Sequence, residues 1–387
     1  MKLQDFTQMF SDKSCMNFTK LKYKFGEELL MGYVDGLKTT FWKQIALKDF
    51  RGEPIVFIPS KVNLSSQSSK ALSSAYTSKG YGLKAMEDEI VATLSIEQID
   101  TSKESVRNIL SGAAPQNSNE YKAYGIKRGL DFIADSTNKI TAENIFSLYS
   151  LSVGDFLKEE DKLLLGRKYR HDAVYIVGKE VAHQGLDHER LTDYMNHFIK
   201  WINEEDSLDQ IIKSIIIHYY FAYIHPYFDG NGRMARLMQL WYLVQMGYTA
   251  TLFLPFSAYI NESKTLYYKA FNQISDNQKI VKSLDVTPFI VFFIEEVLVK
   301  LSNKAGPEKT VKEFEKILQE GDVTEKEKAL FYFVLSAYGT NEFSTKKLEK
   351  DYKDVAYATV RSFVLKFEGK GLLSSQKYGG RVKYQVI

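Results

Sequence analysis

The sequence predicts a mainly helical protein ending in a winged helix-turn-helix domain. Apolar residues recur at helical spacing through most of the 387-residue chain, and only seven prolines interrupt them. Beyond the stretch LSNKAGPEK, three helical patterns are followed by two short strands around Gly379 and Gly380, which is the order of a winged helix. A chain this long exceeds one compact unit, so three regions are expected. They are 1–80, an N-terminal region with a serine-rich loop; 81–303, a helical core; and 310–387, the winged helix-turn-helix.

Composition narrows the class. With 44% apolar and 26% charged residues the chain has the balance of a soluble globular protein, and a formal charge of +3 gives no global basic surface for nucleic acid or membrane. The single cysteine, Cys15, excludes an internal disulfide framework and any multi-cysteine zinc site. The N-terminus MKLQDFTQMF lacks the apolar core of a secretory signal. The greasiest runs are broken by His218 and His225 or by Glu295 and Glu296, so neither supplies the ~18 uncharged residues of a membrane span. A cytoplasmic protein is expected.

In chain order, GLKTTFWKQIALKDF is expected as a helix and EPIVFI as an extended segment. Ser60 to Ser78 is rich in serine and reads as a loop. Helices resume with YGLKAMEDEIVATLSIE, SKESVRNILSG and NEYKAYGIKRGLDFIADSTN. The β-branched and aromatic run AVYIVG, Ala173 to Gly178, is strand-like. Leu208, Ile211, Ile212, Ile215, Ile216 and Tyr219 then mark a buried helix, and RMARLMQLWYLVQMG marks another. Between them lies IHPYFDGNGRMAR, Ile224 to Arg236, held as a loop between two core helices.

Residue by residue, this loop has the chemistry of a phosphate site. Gly230, Asn231 and Gly232 precede a helix, so free backbone N–H groups and a helix N-terminus face the loop's contents. Arg233 and Arg236, three apart, project to one side, where their charge opposes the helix dipole unless an anion compensates it. Asp229 suits either a Mg²⁺ ion shared with phosphates or the cap of the helix behind it. His225 is placed to take a proton from an attacking hydroxyl. Tyr227 and Phe228 read as core plugs. No lysine follows the glycines as in a P-loop, and H-E-x-x-H and G-x-S-x-G are absent. The residues together describe substitution at phosphorus by a hydroxyl.

The stretch HPYFDGNGRMAR resembles the signature H-x-F/Y-x-D/E-G-N-G-R-x-x-R of Fic proteins at every defining position, and the likeness extends over roughly Gly82 to Leu301. The resemblance implies a Fic-type helical core with a β-hairpin flap, and transfer of AMP from ATP to a Ser, Thr or Tyr hydroxyl of a protein or of the chain itself, releasing diphosphate. It makes His225 the general base, Asp229 the Mg²⁺ ligand, Gly230, Asn231 and Gly232 the anion cradle, and Arg233 and Arg236 the phosphate clamps. Met234 and Ala235 fall within the same nucleotide-binding stretch. Val174, Tyr175, Ile176, Val177 and Gly178 fall where the family has its target-aligning flap, and Tyr267 where it has an aromatic near the adenine.

By the same resemblance, T-L-S-I-E-Q at 93–98 is similar to the family's inhibitory helix motif S/T-x-x-x-E-G/N, placed here on a helix over 82–97. Thr93 and Glu97 match and Gln98 departs. Glu97 would pair with Arg236 and block the ATP γ-phosphate. The rival reading is a nucleotide-sensing DNA-binding regulator. From Thr324 onward twelve basic residues face seven acidic ones, yet the recognition helix AYATVRSFVLKF offers only Arg361 and Lys366 to a groove. Protein docking through the winged helix and pairing with a second copy as a homodimer stay open, as does transfer of a phosphate-linked group other than AMP.

Overall fold

The structure is a computed structural model that describes residues 1–73, 83–177, 181–302, 308–339, 341–352 and 355–387. Among the described residues it is mostly helical, with three two-stranded antiparallel sheets. Its contacts group the chain into two compact units, each assembled from three segments: 1–64, 139–239 and 262–296 in the first, and 65–138, 240–261 and 297–387 in the second.

In the first unit, helices Leu3–Ser11, Phe18–Phe25 and Glu27–Gly36 close on an apolar cluster that includes Met9, Phe18, Leu21, Tyr33 and Ile58. Asn277 ties this cluster to helix Lys264–Val281, accepting from Phe18 N at 2.9 Å and donating to the Met16 carbonyl at 2.8 Å. Strands β1 (Lys43–Lys48) and β2 (Pro54–Phe57) pair antiparallel. The expected helix over GLKTTFWKQIALKDF is therefore corrected: its second half is β1. Ile45 and Leu47 alternate inward while Gln44, Ala46 and Lys48 face out, a period of two that helical spacing cannot bury. Strands β3 (Tyr175–Val177) and β4 (Val181–Gln184) form a second hairpin with an irregular register between Ile176 and Val177.

Helix Gln210–Ile224 runs through this unit with nearly every side chain buried, as an all-round apolar helix must. Asp209 starts it, its Oδ1 accepting from Ile211 N at 2.8 Å and Ile212 N at 3.2 Å.

In the second unit, helix Leu83–Ile96 packs against helices Lys103–Leu110, Ser118–Ala134 and Glu325–Tyr338. Two buried carboxylates fix it. Glu87 takes both ends of the Arg107 guanidinium, at 2.5 and 3.1 Å, and Glu89 accepts from the hydroxyl and backbone N–H of Ser257 at the start of helix Phe256–Glu262. The serine-rich stretch also departs from expectation. Ser66–Ser73 is helical, because the Ser65 hydroxyl accepts from Ser68 N at 3.1 Å and Leu72 is buried; residues 74–82 lie outside the described part.

The C-terminal segment comprises helices Glu308–Gln319, Glu325–Tyr338, Thr345–Tyr352 and Tyr357–Gly369, then β5 (Leu373–Tyr378) and β6 (Arg381–Val386) turning at Gly379. Thr324 and Glu327 form a capping box at the second of these helices. Phe343 bridges Tyr384 through hydrogen bonds of 2.8 and 2.7 Å, adding a third rung beside the hairpin. Lys366, Lys370 and Lys383 pair with Glu327, Asp322 and Glu342.

Candidate active site

The loop from His225 to Arg236 begins with a strained turn. His225 caps helix Gln210–Ile224 in the left-handed region, φ 58° and ψ 63°, and its N–H closes on the Phe221 carbonyl. The half-buried imidazole sets Nδ1 3.3 Å from the Ala222 carbonyl. A carbonyl accepts only, so Nδ1 carries the proton and Nε2 is left as the basic nitrogen.

Asn231 closes the loop. Its Oδ1 accepts from Tyr227 N at 2.9 Å and its Nδ2 donates to the Tyr227 carbonyl at 2.8 Å, so the buried side chain is spent on the loop. Beneath it Tyr227 is fully buried and stacks on Tyr149 with centroids 3.6 Å apart, while Phe228 meets the edge of His171. Tyr227 is the core plug expected of it, whereas Phe228 is only half-buried. The hydroxyls of Tyr149, Tyr169 and Tyr227 are buried without a hydrogen-bond partner among the described residues, and burial pushes all three phenols well above their ordinary pKa.

Gly230 starts helix Asn231–Gln245, accepting from Met234 N at 2.9 Å. The N–H groups of Asn231, Gly232 and Arg233 are consequently the orphan donors of its first turn. The Arg233 guanidinium is 3% exposed and donates from Nη2 to Asp229 Oδ2 at 2.8 Å, while its buried Nε has no partner among the described residues. Asp229 is half exposed and also accepts from Gly230 N at 2.6 Å. Arg236 is buried. Met234 and Ala235 are fully buried, with the Ser152 hydroxyl 3.5 Å from the Met234 sulfur, so their side chains belong to the core under the loop.

Behind this turn lies a polar network that sequence reading did not find. His218 is fully buried, with Nδ1 2.8 Å from Gln239 Oε1 and Nε2 2.9 Å from the Tyr267 hydroxyl. Desolvation drives its pKa down to about 3, helped by the charge of Arg236 and opposed by the Gln239 bond. Tyr267 is buried among Phe271, Phe289 and Phe292 with its hydroxyl on His218. The only sequence signal for the network is polar residues on otherwise apolar helices.

The segment expected as a flap is a hairpin strand over Tyr175–Val177, flanked by Val174, whose carbonyl accepts from Gly185 N at 3.1 Å. Gly178 lies outside the described residues. In the second unit, Thr93 is buried near the end of helix Leu83–Ile96 and Glu97 is exposed just beyond it. Gln98 N bonds the Ser95 carbonyl, Ile99 N bonds the Leu94 carbonyl, and Gln98 is left-handed at φ 61°: a Schellman end. That geometry favours Gly or Asn, the residues usual at this position of the motif.

A helix, a tight loop and a second helix starting on that loop form a geometry suited to an anion. Residues 139–243 match the model of the Fic/DOC family, so the chain carries a Fic/DOC domain over those residues. Among similar curated proteins are the protein adenylyltransferase Fic of Drosophila ananassae, 26% identical over 159 residues, which are 41% of this chain and 28% of that protein, and that of Drosophila willistoni, 27% identical with the same shares. The match thus spans just over a quarter of the length of those relatives. Similar solved structures include a Fic family protein from Desulfovibrio desulfuricans G20, with TM-score 0.46, 21% identity, and 79% of this chain and 86% of that chain covered. Fic-1 (134–508) from C. elegans has TM-score 0.49 and 19% identity, with 78% and 83% covered. No helix among the described residues is long and apolar enough to cross a membrane.

Proposed function

We propose that the protein is an adenylyltransferase that moves AMP from ATP to a hydroxyl of a protein side chain, its own included, and that Glu97 restrains it. The observation that supports this reading is the turn at His225: its Nδ1 lies 3.3 Å from the Ala222 carbonyl, which favours the tautomer with Nε2 unprotonated, the form a general base needs, six residues before helix Asn231–Gln245 begins. His225 Nε2 takes the proton of the target hydroxyl as the oxygen bonds to the α-phosphorus. The bond from that phosphorus to the bridging oxygen of the β-phosphate breaks, and diphosphate leaves. The orphan N–H groups of residues 231–233 and the guanidinium of Arg233, with its unpartnered buried Nε, hold phosphate oxygens. Arg236 is the second clamp in this reading. The hairpin β3–β4 aligns the target chain by strand addition.

Among the described residues no cluster of three or more His, Cys, Asp or Glu could hold a metal alone. Asp229 is one half-exposed carboxylate, and one carboxylate suffices for a Mg²⁺ ion that arrives on phosphate oxygens, so the donor set fits an ion carried by the nucleotide. When bound, that ion offsets charge on the phosphates; Asp229 would hold it in exchange for its bond to Arg233.

Glu97 stands just beyond the end of a helix that Glu87 and Glu89 tie to Arg107 and Ser257. Purified protein with Mg²⁺ and α-labelled ATP should label itself or an added protein weakly, and Glu97→Gly should raise labelling at least about tenfold, the effect of losing one charge-assisted contact. His225→Ala in the same background should abolish it. Labelling that survives His225→Ala would sink the mechanism. The helices and hairpin of 325–386 support reading that segment as a winged helix; with Lys366, Lys370 and Lys383 held in ion pairs, the transferase reading is preferred to the DNA-binding one.

A further inference from the structure

We propose that Arg170 is a positioning residue that holds His225 in its left-handed turn and locks both ends of hairpin β3–β4 to that turn, so that base and hairpin are placed as one body; the role of His225 as base rests on the function proposed above. Arg170 is 1% exposed, and among the described residues no carboxylate pairs with it. Its guanidinium binds three main-chain carbonyls instead: Nε to that of His225 at 2.8 Å, Nη1 to that of Asp172 at 2.6 Å, and Nη2 to that of Leu186. Its own N–H donates to the Pro226 carbonyl at 2.9 Å. Asp172 lies three residues before β3 and Leu186 two residues after β4, so one side chain grips the hairpin at both feet and the loop between.

A buried cation without a counter-ion is expensive unless its donors are all answered. Here each of the three guanidinium nitrogens is answered by a carbonyl, one of them at the C-terminus of helix Gln210–Ile224, the negative end of its dipole. Burial pushes the pKa of Arg170 down while Asp187 and Asp172 push it back up. Surrounding contacts leave the fork no slack. At Gly185 a Cβ would lie 2.9 Å from Arg170 Nη2, 2.7 Å from Val174 Cγ1 and 3.3 Å from His225 Cβ. The three carbonyls need a planar fork with donors fixed in direction, which a lysine ammonium lacks. The clamp touches none of Gly230 to Arg236, so it acts on the base and the hairpin rather than on the phosphate cradle.

The test compares Arg170→Lys and Arg170→Gln with the wild type, each with and without Glu97→Gly, by initial rates at varied ATP and by amide hydrogen exchange. Both variants should lose about 10- to 100-fold in kcat, the scale of a misplaced reacting group, with KM for ATP within about threefold, because binding through the cradle is untouched. An Arg170→Lys protein with kcat within about threefold of wild type, or a KM that rises in step with the fall in kcat, would overturn the inference. Should Arg170→Gln fail to fold, Arg170→Lys, which keeps the charge, carries the comparison. If no background transfers AMP, the functional reading has failed, and the clamp is decided by exchange alone. The amides of Gly185, Leu186 and His225 should exchange at least about tenfold faster in Arg170→Lys, and unchanged protection would overturn it.

Discussion

At φ 83° Gly230 occupies backbone space that other residues enter only with strain, and a Cβ there would sit 2.5 Å from Val153 Cγ1 and 2.8 Å from Cγ2. Gly230→Ala should therefore cost about 2–4 kcal/mol, from left-handed strain plus overpacking. Chemical denaturation would read it. Adding Val153→Ala should recover the overpacking part, giving a favourable coupling of about 1 kcal/mol or more in a double-mutant cycle; strict additivity would refute the contact. The glycine is legible in the sequence as part of an anion loop, but Val153, distant in the chain, is not, because a sequence names residues without saying what packs on them. Asn231 was legible as a loop residue and not as the clip on Tyr227. Tyr267 was expected by the adenine; its ring is buried and its hydroxyl is taken by His218.

Among the elements, the end of helix Leu83–Ile96 carries the sharpest expectation. Gln98 holds a position where a Cβ is a liability, so Gln98→Gly should raise stability by about 0.5–1 kcal/mol in thermal denaturation. If Glu97 inhibits as proposed, the firmer helix end should lower basal labelling, opposite in sign to Glu97→Gly; higher labelling from Gln98→Gly would separate the two ideas. The motif's departure at Gln98 was visible in the sequence, whereas its left-handed backbone was not. The two helices flanking the loop were read directly, since uninterrupted apolar faces admit no other burial. Strand β1 was missed because Phe41, Trp42, Ile45 and Leu47 mimic helical spacing in a short window, and helix Ser66–Ser73 because serine hydroxyls cap helices as readily as they loosen loops.

On the scale of the whole protein, two buried groups in the first unit oppose each other on acidification. Asp285 is fully buried, accepting from Thr287 N at 2.9 Å and Trp42 Nε1 at 3.1 Å, and desolvation lifts its pKa from 3.8 to about 6. Its contribution to stability is full below pH 3.8 and is lost as pH rises through about 6. His218, lowered from 6.5 to about 3, acts the other way: the unfolded chain takes its proton first, so stability falls as pH drops from 6.5 toward 3. Between about pH 6 and 4 the two largely cancel. His218→Gln should remove the second effect, so the variant gains on wild type by up to ~1.4 kcal/mol per pH unit over that range. Urea denaturation at stepped pH measures it, and parallel curves would show that His218 titrates normally. Neither group was singled out from the sequence, since burial arises from long-range contacts that join three separate chain segments in each unit.

The Arg170 clamp has an evolutionary consequence. Its hydrogen bonds go to carbonyl oxygens, which every amino acid supplies, so apart from the charge that Asp172 lends it the clamp asks little of side-chain identity at its two feet. If the hairpin aligns a target chain as proposed, substitutions in β3 and β4 change which chain is grasped without retuning His225. Lineages could diversify their clientele while inheriting the same chemistry.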